Sequence, residues 1–321
     1  MSPAPLFKRF HGMMEAAAFL GVLFTLAGLL GRYVWFLEIF THFKPQLALC
    51  FLFYAGLELA ARRRRHAAAS LVLVAVNALP VLILFLSSGE THAKPMTDPP
   101  AHLRILQANI LTSNTNSAAL LALVAHENPD VVVLQEPDVW WVRHLAPLTN
   151  SYPVFAALPR EDNFGAAIYC KTNALSADIF KLSDPEGAPS SHARIAVDGR
   201  VITVVGTHTL APYNRYMWQG RNSFVLELAK ALRRVEGPLV VTGDFNNTPW
   251  SAHFQNFLKA SGLHDSEQGR GPQGTWPTST IPLVRLPLDH CFHSDSVRIL
   301  AKRTGPDIGS DHLPLILDVA F

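Results

Sequence analysis

The residues best able to do chemistry fall between positions 109 and 312: four acids (Glu136, Asp244, Asp289, Asp311), two amides (Asn109, Asn246) and two imidazoles (His208, His312). Carboxylates and carboxamides without a neighbouring thiol are hard oxygen donors. They suit Mg²⁺ or Mn²⁺, ions that take one or two carboxylates and fill their other positions with water or phosphate oxygens. Zinc would be expected to recruit more histidines. The three cysteines, Cys50, Cys170 and Cys291, form neither a CxxC pair nor a disulfide framework. No Walker-type loop, GxGxxG or GxSxG element occurs, which argues against a nucleotide-driven kinase and a serine hydrolase.

Most of these polar residues directly follow an apolar run of strand length. Asn109 follows 103–106, Gln135-Glu136 follow 131–134, His208 follows 201–205, and Asp244 and Asn246 follow 239–242. A rigid sheet aims side chains at its strand ends into a shared cleft, so the clustering predicts one site. In Gly243-Asp244-Phe245-Asn246 an extended period of two turns Asp244 and Asn246 to one side and Phe245 into the core. The same period separates Asp289 from His290, so only one of these two enters the site. Gly309-Ser310 predicts a loop before the last strand that lets both Asp311 and His312 reach the cleft.

The elements that must position these residues alternate in type from residue 102 onward. Strands are predicted at 103–110, 131–134, 194–197, 201–205, 239–242, 289–293, 297–302 and 313–319. Helices are predicted at 116–127, 215–235 and 251–262. Asp198-Gly199-Arg200 reads as a hairpin turn. Helices and hairpins mixed on this scale predict an α/β domain of two packed sheets with helices outside.

Residues 1–89 are of another kind. Hydrophobic residues make up 49% of the chain, charged residues 16%, and mean hydropathy is +0.18, which excludes a disordered, collagen-like or coiled-coil chain. The first 89 residues hold 8 Lys and Arg against 3 Asp and Glu, leaving 19 against 22 for residues 90–321. The second part is thus −3, without the positive balance of a dedicated nucleic-acid binder. Residues 67–89 are 23 without a charge, long enough to cross a hydrocarbon core of about 30 Å. Weaker spans are predicted at 45–61, with Glu58 near the interface or packed between helices, and at 16–31, extendable to Leu37 if Arg32 snorkels. Lys8 and Arg9 before the first span, and Arg62 to Arg65 between the second and third, place those loops on the cytoplasmic side. Three spans then leave everything after Gly89 outside, giving a multi-pass inner-membrane protein with an extracytoplasmic domain. Residues 90–101, with Lys94-Pro95 and Asp98-Pro99-Pro100, read as a semi-rigid linker between an anchor, 1–89, and a domain, 102–321.

The ordered set Gln107-Ala108-Asn109, Gln135-Glu136, Thr207-His208, Gly243-Asp244-Phe245-Asn246, Leu288-Asp289-His290 and Gly309-Ser310-Asp311-His312 resembles the endonuclease/exonuclease/phosphatase superfamily over about residues 102–321. With three N-terminal spans the whole chain looks like bacterial membrane-anchored members of that superfamily. The resemblance implies a four-layer α-β-β-α sandwich of DNase-like type and a phosphoester hydrolase using Mg²⁺ or Mn²⁺. It implies Glu136 as the principal metal ligand with Asn109 and Asp311 close to the metal. Asp244 would position or deprotonate the attacking water, and Asn246 would hold a phosphate oxygen. His312, oriented by Asp289, would take a proton from water or stabilise the transition state, and His208 would lie near the leaving group. Apurinic endonucleases carry tyrosine in place of His208, which counts against a DNA-repair reading. Phosphoester hydrolysis needs these residue types because it requires water activation, in-line geometry and screening of charge on the phosphoryl oxygens. Arg194, Arg215 and Arg221 are further sources of positive charge.

The expected substrate is a lipid-like or small envelope phosphodiester met at the bilayer, with nucleic acid the competing substrate class. A non-catalytic membrane receptor retaining the fold is the alternative from another class. The intact acid, amide and imidazole set argues against it, since a retired site should have lost a member.

Overall fold

The computed structural model describes residues 5–86, 100–182 and 188–321. The predicted linker, 90–101, lies almost entirely outside the described residues.

Three helices open the chain: α1 (Pro5–Leu30), α2 (Lys44–Ala60) and α3 (Arg64–Leu86). Two are long and apolar enough to cross a membrane, Arg9–Leu30 and Arg64–Leu86. The stretch predicted as the second span differs. Its 17-residue helix α2 covers roughly 25 Å at 1.5 Å per residue, short of a typical hydrocarbon core. A 3₁₀ helix, Trp35–Thr41, precedes it at a bend of 58°. The predicted extension of the first span to Leu37 is not made, because α1 stops at Leu30 and the chain turns back on itself. Gly28 and Gly31 permit that return: a Cβ at Gly31 would sit 2.7 Å from the Glu38 Cα, and Thr41 Oγ1 donates to the Gly28 carbonyl at 2.8 Å. Asn77 Nδ2 donates to Thr25 Oγ1 at 3.0 Å, tying α3 to α1 by a polar bond between apolar helices. Of the two places expected for Glu58, the interface or between helices, it takes the second, fully buried beside His11 Nε2 at 3.1 Å and Arg63 Nε at 3.3 Å.

Residues 102–321 form two six-stranded sheets. The first contains β1 (His102–Asn109), β2 (Val131–Gln135), β3 (Val154–Leu158), β4 (Ala166–Cys170), β11 (Arg298–Thr304) and β12 (Leu315–Ala320), in the order β11-β12-β1-β2-β4-β3. The second contains β5 (Ala174–Phe180), β6 (Ser190–Val197), β7 (Arg200–His208), β8 (Leu239–Asp244), β9 (His264–Asp265) and β10 (Asp289–His293), in the order β5-β6-β7-β8-β10-β9. Their inner faces pack together through Ile105, Val131, Val133, Ile195, Val204 and Val240, all fully buried. Helices α4 (Ser117–Glu127) and α5 (Val139–His144) cover the outer face of the first sheet, and α6 (Arg215–Leu232) and α7 (Ala252–Ser261) that of the second. The order helix, sheet, sheet, helix is that of a four-layer DNase-like sandwich. Asn116 caps α4 and Ser251 caps α7 with side-chain oxygens, and Gly262 ends α7 in the left-handed region.

Candidate active site

One end of both sheets carries the site. Across the second sheet, His208 at the end of β7 pairs with Asp244 at the end of β8, which pairs with Asp289 at the start of β10. Three strand termini thus set an imidazole and two carboxylates in one row. On the first sheet Asn109 pairs with Gln135 at the ends of β1 and β2, and His312 lies just before β12.

Local backbone choices complete the arrangement. Glu136 and Asn246 adopt φ of 67° and 45°, a region costly for residues with a Cβ and concentrated at functional sites. Glu136 leaves β2 in that turn and swings its carboxylate over Asn109. Asn246 reaches the site through its turn, not through the predicted continuation of the strand, since β8 ends at Asp244. Phe245 does enter the core. Gly243 at φ 150° has no alternative residue, because a Cβ there would lie 1.9 Å from the Thr207 carbonyl oxygen.

Asp244 is the hub. Its Oδ2 accepts from Asn109 Nδ2 at 3.2 Å and lies 3.5 Å from His208 Nε2 and 3.6 Å from His312 Nε2, while its Oδ1 accepts from the Asn246 backbone N–H at 2.8 Å. Asn109 Nδ2 also donates to Glu136 Oε1 at 2.9 Å, and its Oδ1 accepts from the Leu111 N–H at 3.1 Å. Asn246 Nδ2 donates to the Thr209 carbonyl at 2.9 Å. His312 Nδ1 is 2.8 Å from Asp289 Oδ2, and Gln107 Nε2 holds the other Asp289 oxygen at 2.9 Å. Trp276 Nε1 donates to Asp311 Oδ2 at 2.9 Å. His290 points away from the cleft and packs against Phe254, as the period of two requires.

Burial pushes Glu136 and Asp244 above the ordinary carboxylate range, and pushes His208 below the ordinary imidazole value. Burial also opposes the charge on His312, but Asp289 and Asp244 outweigh it and lift its pKa to about 10. Asp289 is held below the usual range: burial would raise it, and the charge of His312 overcomes that. At neutral pH the site therefore pairs an imidazolium, His312, with a neutral imidazole, His208.

A cleft of about 670 Å³ opens onto these groups, lined by Glu136, His208, Asp244, Asn246, Asp311 and His312. No lysine or arginine is among the described residues that line it. The carboxylates of Glu136, Asp244 and Asp311 are hard oxygen donors of the kind that could hold a divalent cation, beside the imidazoles of His208 and His312.

All eight predicted residues converge, whereas the three candidate arginines do not reach the cleft. Arg194 and Arg215 are exposed. Arg221 is buried behind the site, with Nη2 2.5 Å from Glu38 Oε2 and Nη1 donating to the Asn246 carbonyl at 3.0 Å. Sequence reasoning missed Gln107 as the partner of Asp289. It also missed the other wall of the cleft, where Trp35, Phe36, Ile39, His42 and Phe43 from the segment between α1 and α2 face Phe164 and Leu286. A signal existed: Arg221 interrupts the apolar face Phe224, Val225, Leu228 and Leu232, and Glu38 is an acid in an apolar segment. Each such charge requires a partner.

The family model described as the Endonuclease/Exonuclease/phosphatase family matches residues 106–312. No curated protein matches the chain. Among solved structures, TDP2 of D. rerio complexed with single-strand DNA product is similar at a TM-score of 0.58 and 19% identity, over 68% of this chain and 98% of that one. The catalytic domain of human Nocturnin with bound sulfate gives 0.56 and 21%, over 71% and 96%. Beta toxin of Staphylococcus aureus gives 0.51 and 18%, over 67% and 99%. At these identities the likeness shows the fold alone.

Proposed function

From the premise that the chain belongs to the endonuclease/exonuclease/phosphatase family, whose members typically use divalent metal ions and whose fold supports phosphoester hydrolysis, we propose a membrane-anchored phosphodiesterase. It acts with Mg²⁺ or Mn²⁺ on a lipid-like or small envelope phosphodiester, on the extracytoplasmic side. One observation carries this reading: Asp244 at the centre of a buried ring of Asn109, Asn246, His208 and His312 in a cleft with no lysine or arginine among its described lining residues.

Glu136 and Asp311 would hold the cation, which would supply positive charge for the phosphoryl oxygens. Asp244, its basicity raised by burial, takes a proton from water. The water oxygen bonds to phosphorus as the ester P–O bond on the opposite side breaks. The leaving oxygen acquires a proton from solvent that enters the cleft, and neutral His208, buried beside Asp244, is placed to hydrogen-bond it. His312 acts as a fixed cation and not as the base, because two carboxylates hold it protonated. It donates to a non-bridging oxygen whose charge grows in the transition state. Asn109 holds Glu136 and Asp244 in register, and Asn246 positions Asp244 through its backbone N–H.

The reading takes α1, α2 and α3 as three spans, with the bent 3₁₀ helix before α2 lying at the bilayer surface. Arg62 to Arg65 then mark the cytoplasmic side. The 3₁₀ segment and the end of α3 both contact the catalytic domain, since Thr41 accepts from Trp250 Nε1 at 2.8 Å and Leu84 accepts from the Gly269 N–H at 2.7 Å. The domain therefore sits on the side opposite the arginines. The full-length protein, assayed with bis(p-nitrophenyl) phosphate plus Mg²⁺ or Mn²⁺, should release nitrophenol. Absence of hydrolysis with either metal, on this and on nucleic acid, contradicts the reading.

A further inference from the structure

We propose that residues 35–43, the segment between the first two apolar helices, form the acyl-binding wall of the catalytic cleft, so that the substrate is a membrane phospholipid whose chain lies on this wall while its phosphodiester reaches Asp244 and His312. The inference deepens the phosphodiesterase reading and rests on it.

Three observations meet here. First, the cleft is built from both parts of the chain: Trp35, Phe36, Ile39, His42 and Phe43 line the same cavity as Glu136, Asp244 and His312. Apolar wall and polar floor are continuous, which matches an amphiphile with a charged head and an apolar body. Second, the wall is locked in place. Glu38 accepts from Arg221 Nη2 at 2.5 Å and from Ser251 Oγ at 3.2 Å, and His42 Nδ1 lies 3.0 Å from Thr248 Oγ1. Arg221 simultaneously holds the Asn246 carbonyl, so the segment is pinned to the turn two residues after Asp244. Third, the outer edge of this wall is apolar and exposed. Phe36 and Ile39 leave 54% and 56% of their surface open, and Ile281 and Leu283 are similarly exposed, with the Leu283 carbonyl accepting from Gln46 at the start of α2. A segment leading directly into apolar helices lies at the bilayer surface, where such side chains enter lipid.

The occupant is a lipid chain and not a polyanion, because a strand of phosphates calls for Lys and Arg neutralisation. The described lining has neither, and residues 90–321 carry 19 basic against 22 acidic residues.

The test uses full-length protein in detergent and a series of p-nitrophenyl alkyl phosphodiesters from ethyl through butyl to octyl. The expected result is a kcat/KM that climbs about threefold or more per added pair of methylenes, reaching about thirtyfold or more by octyl, with Phe36→Ser and Ile39→Ser each lowering the octyl-to-ethyl ratio. Equal rates for ethyl and octyl esters, or an oligonucleotide preferred over the octyl ester, overturn the wall while leaving metal-dependent hydrolysis intact. Loss of all hydrolysis would instead strike the phosphodiesterase reading, so a readout without turnover judges the wall separately. Phosphatidylglycerol vesicles carrying a diazirine on the acyl chain should label Phe164, whose ring lies 5.3 Å from that of His208 inside the cleft, as well as residues 35–43. Labelling confined to the apolar helices overturns the proposal.

Discussion

Arg221 and Glu38 form an ion pair with both side chains almost completely buried, and the same guanidinium holds the backbone oxygen of Asn246. The pair joins the segment between two apolar helices to the chemical site. Removing one partner leaves a buried charge without compensation, which typically costs about 3–5 kcal/mol. Arg221→Met should therefore lower the thermal midpoint in detergent substantially. Arg221→Met combined with Glu38→Leu should recover most of that loss, because replacing both charges restores an apolar contact. Additive losses in the double variant would show that the two residues do not act as a pair.

Asp244→Asn and His312→Ala should each lower turnover by about 10² or more, the scale of removing a general base or a charge on the transition state. Circular dichroism should remain that of the folded protein. A near-normal rate in either variant, on the best diester found, removes that residue from the mechanism.

Asp289→Asn tests the pH behaviour of the site. Burial works to lower the His312 pKa, and Asp289 is the largest influence raising it to about 10. Without that carboxylate the imidazolium loses its proton at lower pH, so the alkaline limb of kcat/KM should move down by about one pH unit or more. A profile unchanged from wild type contradicts the role of Asp289.

Stability should show a separate pH dependence through His293, on β10 away from the cleft. Burial drives its pKa down to about 4, against an ordinary value near 6.5. The unfolded chain then binds a proton that the folded protein refuses. The contribution of neutral His293 is complete above about pH 6.5 and fades as pH falls toward 4, by about 3 kcal/mol in total. Asp265, pushed up to about 7 by burial and the nearby Glu267, tilts the same window the other way. The difference between wild type and His293→Gln in thermal melts across pH 4–7 isolates the histidine. A constant difference contradicts the assignment.

How far the sequence announces this protein depends on range. The residues that make the site are adjacent to apolar strand runs, so their convergence was legible from residue order: Asn109, His208 and Asp244 end strands that the apolar pattern marks, and Glu136 follows one directly. β3, β4 and β5 were not legible, because Val154–Leu158 and Ala174–Phe180 are only half-buried and Ala166–Cys170 is short, with two alanines in place of branched residues. The route of Asn246 into the site was misread, since period-two reasoning assumes strand geometry that a left-handed turn replaces. The docking of the 3₁₀ segment on the catalytic domain was hidden for another reason. Arg221 and Glu38 are 183 residues apart, and no local pattern pairs them.

Topology can be checked in spheroplasts. Protease added to intact spheroplasts should digest the catalytic domain, whereas protection until lysis contradicts the orientation given by Arg62 to Arg65.

The central claim is that this cleft hydrolyses phosphodiesters through a divalent cation held on oxygen ligands. It is tested most directly by assaying the full-length protein on a p-nitrophenyl phosphodiester in EDTA and again after titration with Mg²⁺ or Mn²⁺. Activity should vanish in chelator and return with metal, and Glu136→Gln should need more metal for half-maximal rate than Asn246→Ala, because only the former removes a ligand charge. Full activity in EDTA, or a metal response in Glu136→Gln equal to that of wild type, contradicts the account.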